Sequence, residues 1–192
     1  MTKIAKVTSE IFAPWVVLVL LSISVPWRAT NHDVLSTVLW GLDIVVFCAV
    51  IPMAFIVRGA RRGDWDGHHV RNREARAKPL VVAFGSTAVG LALMLIGHAP
   101  RALVFMAIAM LVSLVVSFVI TFWWKISFHA AVSAGGVATL VEVYKSLWLL
   151  ALLLVVALIA WSRVVLRDHT AWQVAAGAIL GFGLTVLVFL GA

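Results

Sequence analysis

Residues 101–122 read RALVFMAIAMLVSLVVSFVITF, and no charged residue follows Arg101 in this stretch. The hydrocarbon core of a bilayer is about 30 Å thick, and a helix needs about 20 apolar residues to cross it. The stretch therefore predicts a membrane-spanning helix. The whole chain has the same character, because 64% of its 192 residues are hydrophobic and 12% are charged. Ordinary soluble domains contain about 25% charged residues.

Apolar runs of similar length occur along the chain. They predict seven segments, at approximately 11–27, 34–57, 80–97, 101–122, 128–143, 147–161 and 170–191. We therefore expect an all-α fold, a polytopic transmembrane bundle of six to seven helices that forms a single domain over residues 1–192. The fifth segment is the most polar, which favours an interior helix shielded by the others. Its polar and small residues are Ser133, Gly135, Gly136, Thr139 and Glu142.

Small residues at a spacing of four mark two of these segments. Gly177 and Gly181 form a G-x-x-x-G pattern in the last segment, and Ala131 and Gly135 repeat the spacing in the fifth. Such patterns predict close approach between membrane helices. An ionisable residue, Asp43, lies within the second segment, where we expect a buried hydrogen bond between helices.

The charge balance narrows the possible partners. The formal net charge is +7, which in a membrane protein indicates contacts with anionic lipid or phosphate rather than with nucleic acid. The single cysteine, Cys48, excludes an internal disulfide. We therefore expect membrane lipids as partners, whereas the sequence does not indicate an oligomeric state.

Three polar clusters interrupt the apolar pattern. They are the loop 58–79, the stretch 125–129 and the stretch 162–169. Two predicted crossings separate each cluster from the next, so all three are expected at the same face of the membrane. The opposite face has short turns around Asn31, His98 and Lys145.

These clusters contain the groups needed for phosphoryl transfer. Cationic side chains neutralise phosphate oxygens, and arginine does so with two parallel hydrogen bonds. One histidine can attack phosphorus, and another can protonate the departing oxygen. The candidate residues are Arg71, Lys78, Ser127, His129, Arg163 and His169. No set of metal ligands has a reliable spacing, so we expect a mechanism without a metal.

The order and spacing of these residues resemble the type 2 phosphatidic acid phosphatase superfamily, whose motifs read K-x6-R-P, P-S-G-H and S-R-x5-H-x3-D. The resemblance covers the chain from about residue 58 to its end. The matching positions are Arg71 and Lys78-Pro79, then Ile126-Ser127-Phe128-His129, then Ser162-Arg163, His169 and Gln173. The third motif is the specific one, whereas the first two are weak alone.

The resemblance implies a role for each position. Arg71, Lys78 and Arg163 would hold the phosphate oxygens, with Ser127 and the backbone N–H of Phe128 as further donors. His169 would be the nucleophile, and His129 the general acid and later the base. The implied substrates are lipid phosphates or diphosphates, either polyprenyl-linked or phospholipid, and the implied enzyme needs no cofactor.

The chain departs from the family pattern in ways that bear on activity. Arg71 and Lys78 exchange the two cations of the first motif, and Phe128 makes the second motif bulkier. Gln173 replaces the carboxylate that orients the nucleophile, so it can accept a hydrogen bond but cannot stabilise an imidazolium by charge. We do not expect Asp168 to replace that carboxylate, because adjacent residues on a helix point apart.

Other functions stay open at this stage. One is a phosphotransferase that passes the phosphoryl group to an alcohol, and another is a non-catalytic binder or transporter of lipid phosphates. A metal site is a further possibility in the 58–79 loop, although a polar surface is the simpler interpretation of its acidic and histidine residues, Asp64, Asp66, His68 and His69.

Basic residues also predict the orientation. Lysines and arginines in short loops tend to remain cytoplasmic, and most of them fall on the face of the polar clusters. The opposite face carries only Arg28, Arg101 and Lys145. We therefore expect a protein of the cell (inner) membrane whose site faces the cytoplasm.

Overall fold

The computed structural model of the protein describes residues 1–65, 67, 70 and 74–191, without the side chain of Glu74. Regular structure in these ranges is helical throughout, which confirms the predicted all-α fold. The helices are α1 Thr2–Ile11, α2 Pro14–Ala29, α3 Val34–Ile44, α4 Ile51–Arg62, α5 Ala77–Ile96, α6 Arg101–Thr121, α7 Phe128–Tyr144, α8 Leu153–Val165 and α9 Ala171–Leu190.

Several helices are long and apolar enough to cross a membrane. A π-helical turn, Val45–Val50, joins α3 and α4 into one helix of 29 residues, and a 3₁₀ turn, Leu147–Leu152, leads into α8. Among the residues that the structure describes, five helices are long and apolar enough to cross a membrane. They are Val34–Arg62, Ala77–Ile96, Arg101–Thr121, Leu147–Val165 and Ala171–Leu190. With 17 residues, α7 is at the lower limit for a span.

The chain bends at the start of the first predicted segment, 11–27, which corresponds to α2. Helices α1 and α2 are bent by 42° relative to each other. The break precedes Pro14, which occupies the first turn of α2, where proline is favoured because it needs no N–H partner. Helix α1 packs against α8, and the buried residues of α1 include Ser9. The N-terminal helix is thereby brought to the polar end of α8.

Two further boundaries differ from the prediction. Helix α4 continues to Arg62 and ends at Gly63, whose φ of 81° is the left-handed conformation that glycine adopts readily at a helix end. Since α5 begins at Ala77, the polar loop is shorter than the predicted 58–79. Helix α8 extends to Val165, so Arg163 belongs to its last turn and not to a loop.

Helix α7 lies inside the bundle, which confirms the interior position predicted for the fifth segment. It packs against α2, α8 and α9. Small or polar side chains make up most of its buried surface: His129, Ala130, Ala131, Ser133, Ala134, Gly136, Val137, Ala138 and Thr139. Small side chains allow neighbouring backbones to approach closely where lipid supplies no hydrophobic driving force.

The closest approach is between α7 and α9, at the predicted glycines. A Cβ added at Gly177 would lie 2.5 Å from the carbonyl oxygen of Ser127, and one added at Gly181 would overlap the carbonyl oxygen of Ala131. The N–H of Ser127 also donates to the carbonyl of Gln173 at 3.3 Å. The two helices therefore begin side by side.

Asp43 does not behave as predicted. Its Oδ2 atom is buried and has no hydrogen-bond partner among the described residues. The atom lies beside Gly90 of α5, where an added Cβ would be 3.2 Å away. The expected hydrogen bond between helices is therefore not found for this oxygen.

The contact of Gly181 with α7 predicts that a larger side chain at this position destabilises the fold. Gly181→Ala should lower the free energy of unfolding by about 1–3 kcal/mol, because the methyl group would displace the backbone of α7. Gly183→Ala is the matched control, since nothing lies within 4 Å of the Cβ position there. Thermal unfolding of purified protein in detergent measures both. Equal melting temperatures for the two variants would contradict the described crossing.

Candidate functional site

One cavity of about 250 Å³ connects the polar clusters with the inside of the bundle. Arg76, His129, Arg163 and His169 line it together with Phe128. The rest of its lining is mainly apolar and includes Leu18, Leu21, Met53, Met106, Met110 and Leu114. The cavity is therefore amphiphilic, with cations and histidines in one part and aliphatic side chains in another.

The end of α8 positions two residues of this site. The N–H of Asp168 donates to the carbonyl of Arg163 at 3.1 Å, and the N–H of Arg167 donates to that of Val164 at 2.9 Å. Arg167 has a φ of 56°. These are the two bonds and the left-handed residue of a Schellman motif, which turns the chain back over the last helical turn. The turn brings Asp168 and His169 next to Arg163.

The side chains of this turn form a buried ion pair. Nη2 of Arg163 lies 2.9 Å from Oδ2 of Asp168, and the two side chains are 3% and 5% exposed. Nη1 of Arg163 donates to the hydroxyl of Ser9 in α1. A Schellman motif usually has a hydrophobic contact at these two positions, so the ion pair is a specific feature of this chain. Arg163 is held from two sides.

His169 is a neutral imidazole at physiological pH. Burial lowers its pKa from 6.5 to about 3, and the positive charges of Arg76, Lys125 and Arg163 act in the same direction. A hydrogen bond with the Gln173 side chain acts weakly in the opposite direction. Its Nδ1 is buried without a hydrogen-bond partner among the described residues. An uncharged ring nitrogen is what nucleophilic attack requires.

Of the second-motif residues, His129 lines the cavity and Ser127 does not. His129 is buried in the first turn of α7 and lines the cavity. Ser127 is fully buried, caps α7 by accepting from the N–H of Ala130 at 3.4 Å, and is not among the lining residues. The hydroxyl of Ser127 therefore supports the helix start and does not face the cavity.

Arg76 is a site residue that the sequence did not single out. It is 6% exposed and lines the cavity. Its Nε donates to the carbonyl of Val70 at 2.9 Å, Nη1 donates to that of Ile126 at 3.0 Å, and the guanidinium lies 5.8 Å from the centre of the Phe128 ring. These contacts fix the planar group at the cavity.

The first motif supplied two expected cations, Arg71 and Lys78. Lys78 is exposed in the first turn of α5 and does not line the cavity. Arg71 lies outside the described residues, as do Asp66, His68 and His69 of the alternative metal site. Arg76, two positions before Lys78, is the cation near His169 among the residues of this segment that the structure describes. Only its proximity to the Lys78-Pro79 pair could have suggested it from the sequence.

Lys125 joins the site through the backbone. Its Nζ donates to the carbonyl oxygen of Asp168 at 2.6 Å, which ties the start of α7 to the turn after α8. The positive charge of the side chain is one of the causes that lower the pKa of His169. Lys125 thus supports the position of the loop and adds to the positive potential of the cavity.

Gln173 has a local structural role. Its Oε1 accepts from the N–H of Thr170 at 3.1 Å, and Oγ1 of Thr170 accepts from the N–H of Gln173 at 3.3 Å. This reciprocal capping box satisfies two free donors at the start of α9. The structure also corrects the argument about Asp168, since Asp168 and His169 lie in the turn between α8 and α9 and not on a helix.

The sequence was compared with known proteins. It matches no protein-family model, no curated protein and no solved structure.

The electrostatics of His169 make a measurable prediction. In protein labelled with ¹⁵N at histidine, the ring signals of His169, assigned with His169→Gln, should keep their neutral shifts between pH 8 and pH 5. Lys125→Met should raise the pKa of His169, because it removes one of the charges that lower it. A wild-type titration with a midpoint near 6.5 would contradict the described surroundings of the ring.

Proposed function

We propose that the protein is a membrane phosphatase that removes the terminal phosphate from a lipid phosphate or diphosphate without a metal ion. The observation that supports this most strongly is the amphiphilic cavity. It combines two histidines and two arginines with a mainly aliphatic lining. A phosphorylated lipid has the matching division into a charged head and an apolar tail.

The proposed phosphate position lies between Arg76 and Arg163, next to His169. Guanidinium groups bind phosphate oxygens through charge-assisted hydrogen bonds, and Lys125 adds positive charge nearby. The first turn of α7, which contains His129, contributes the positive end of the helix dipole. Together these groups compensate a dianionic phosphate in a site that is largely shielded from water.

The proposed reaction has two steps. A neutral ring nitrogen of His169 attacks phosphorus, the bond between phosphorus and the lipid oxygen breaks, and His129 donates a proton to that oxygen. The second step reverses the role of His129, which takes a proton from water as the water attacks the phosphohistidine. The products are the lipid alcohol or lipid monophosphate, inorganic phosphate and the free His169 ring.

The tail of the substrate would occupy the aliphatic part of the cavity. Side chains from several helices line it, including Leu18 of α2, Met53 of α4 and Met106 of α6. Such a lining suits an isoprenoid or acyl chain equally well, because it recognises apolar surface and no specific polar group. Polyprenyl-linked phosphates and phospholipid phosphates are therefore the proposed substrate class.

Gln173 supports a second candidate, a non-catalytic binder of lipid phosphates. Its side-chain oxygen is used in the capping box with Thr170, and no carboxylate stands at this position to stabilise a charged His169 ring. The same cavity could also transfer the phosphoryl group to an alcohol instead of water. Release of inorganic phosphate, with and without an alcohol acceptor, distinguishes the three activities.

We further propose that the site faces the cytoplasm. Arg76, Lys125 and Arg163 belong to the site itself, so they do not count as independent signals of orientation. Basic residues remain on the same face beyond them, at Arg58, Arg61 and Arg62 in the last turns of α4. Lysines and arginines close to membrane helices favour the cytoplasmic side.

Phosphate release tests the proposed chemistry directly. Purified protein should hydrolyse a lipid phosphate in the presence of a chelator. His169→Ala should abolish turnover because the nucleophile has no substitute, and His129→Ala should lower kcat by about 10²–10⁴-fold because it removes the general acid. His98→Ala, on a turn at the other end of the bundle, is the control. Substantial turnover by folded His169→Ala would contradict the assigned role.

Arg76 and Lys78 provide a matched pair of variants. Arg76→Gln should lower kcat/KM at least about tenfold, because it removes a buried phosphate-binding charge. Lys78→Gln should leave kcat/KM within about threefold, because the side chain is exposed and lies outside the cavity. The reverse ranking would show that the family-like position, and not Arg76, carries the phosphate contact.

A further inference from the structure

The ion pair between Arg163 and Asp168 lies within the proposed phosphate site. Arg163 lines the cavity, and Oδ2 of Asp168 lies 2.9 Å from its Nη2, with both side chains almost fully buried. Asp168 is not one of the positions that the phosphatase motifs specify. Its carboxylate is nevertheless held in direct contact with a cation assigned to substrate binding.

This pairing has a consequence for anion binding. Removing one partner of a buried ion pair leaves an uncompensated charge, which is strongly unfavourable in a shielded site. In the free protein the carboxylate of Asp168 provides that compensation for Arg163. A phosphate that binds to Arg163 must share the guanidinium with this carboxylate, and the two negative groups repel each other.

We propose that Asp168 is an internal counter-ion that limits how tightly Arg163 holds phosphate. The residue acts through Arg163 and is a positioning residue rather than a catalytic one. It keeps the guanidinium oriented while the cavity is empty, and its negative charge weakens binding of the phosphate product, which favours release. The inference rests on the proposed function, because it assumes that the cavity binds a phosphate group.

The charge of Asp168 can be removed by a substitution of nearly the same shape. Asp168→Asn retains an oxygen that can accept from Nη2 of Arg163. The Asp168 backbone makes two further contacts: its carbonyl accepts from Lys125 at 2.6 Å, and its N–H donates to the carbonyl of Arg163. Ser9 continues to hold Nη1 of Arg163. The substitution therefore removes the negative charge and does not alter these backbone contacts or the contact with Ser9.

The test measures binding of inorganic phosphate and vanadate to the full-length purified protein by calorimetry, without turnover. Asp168→Asn should bind both anions at least about tenfold more tightly than wild type. Phosphate should raise its melting temperature more than that of wild type, and product inhibition by phosphate should be stronger, with KM and kcat both lower. A purely structural role for Asp168 would weaken anion binding instead.

Asp33→Asn is the control for a change of net charge alone. Asp33 is exposed at the start of α3, where its side chain caps the helix, and asparagine caps equally well. This variant should bind phosphate as wild type does. Asp168→Ala removes the same charge as Asp168→Asn and should also tighten phosphate binding. The direction of the change in phosphate affinity can therefore be measured even if the asparagine variant does not fold.

The possible results separate the two proposals. Binding by wild type that is not tightened in folded Asp168→Asn or Asp168→Ala would overturn the counter-ion role and leave the proposed phosphatase intact. A complete lack of phosphate and vanadate binding in wild type and in all variants would overturn the proposed function, and this inference with it. Equal tightening in Asp33→Asn would show a general charge effect and would also overturn the inference.

Discussion

The close crossing of α7 and α9 is the contact on which the site depends. Gly177 and Gly181 allow the backbone of α9 to touch the carbonyls of Ser127 and Ala131. Because the N–H of Ser127 also donates to the carbonyl of Gln173 in the first turn of α9, the residues that precede α9 lie close to the start of α7. His129 and His169, which are 40 positions apart in the sequence, line one cavity for this reason.

Burial of this region sets its electrostatics. Positive charge from Arg76, Lys125 and Arg163 surrounds a histidine that is shielded from water, so the ring of His169 stays neutral. The Schellman turn after α8 supplies a carboxylate, Asp168, directly against Arg163. The site thus combines a potential that attracts anions with a negative group that moderates it. Both properties follow from how α8 ends and where α9 begins.

Local and periodic features of the structure could be predicted from the sequence. The apolar runs predicted most of the helices, and the glycine spacing predicted that the fifth and last segments approach neighbouring helices closely. The roles of Arg76 and Asp168 could not be predicted, because they depend on contacts with distant residues or on the path of a turn. Lys78 fits the motif spacing, yet the first turn of α5 leaves it exposed, whereas Arg76 lines the cavity. The hydropathy pattern also did not show the bend between α1 and α2, which precedes Pro14.

The central claim is that the cavity holds a phosphorylated lipid with its head at the histidines and its tail among aliphatic side chains. A structure of the wild-type protein with a lipid phosphonate, whose carbon–phosphorus bond resists hydrolysis, tests this most directly. The account predicts phosphorus at about 3–3.5 Å from a ring nitrogen of His169, phosphonate oxygens on Arg76 and Arg163, and the tail between Leu18 and Met106. A head group bound away from Arg163, or a tail on the outer surface of the bundle, would contradict it.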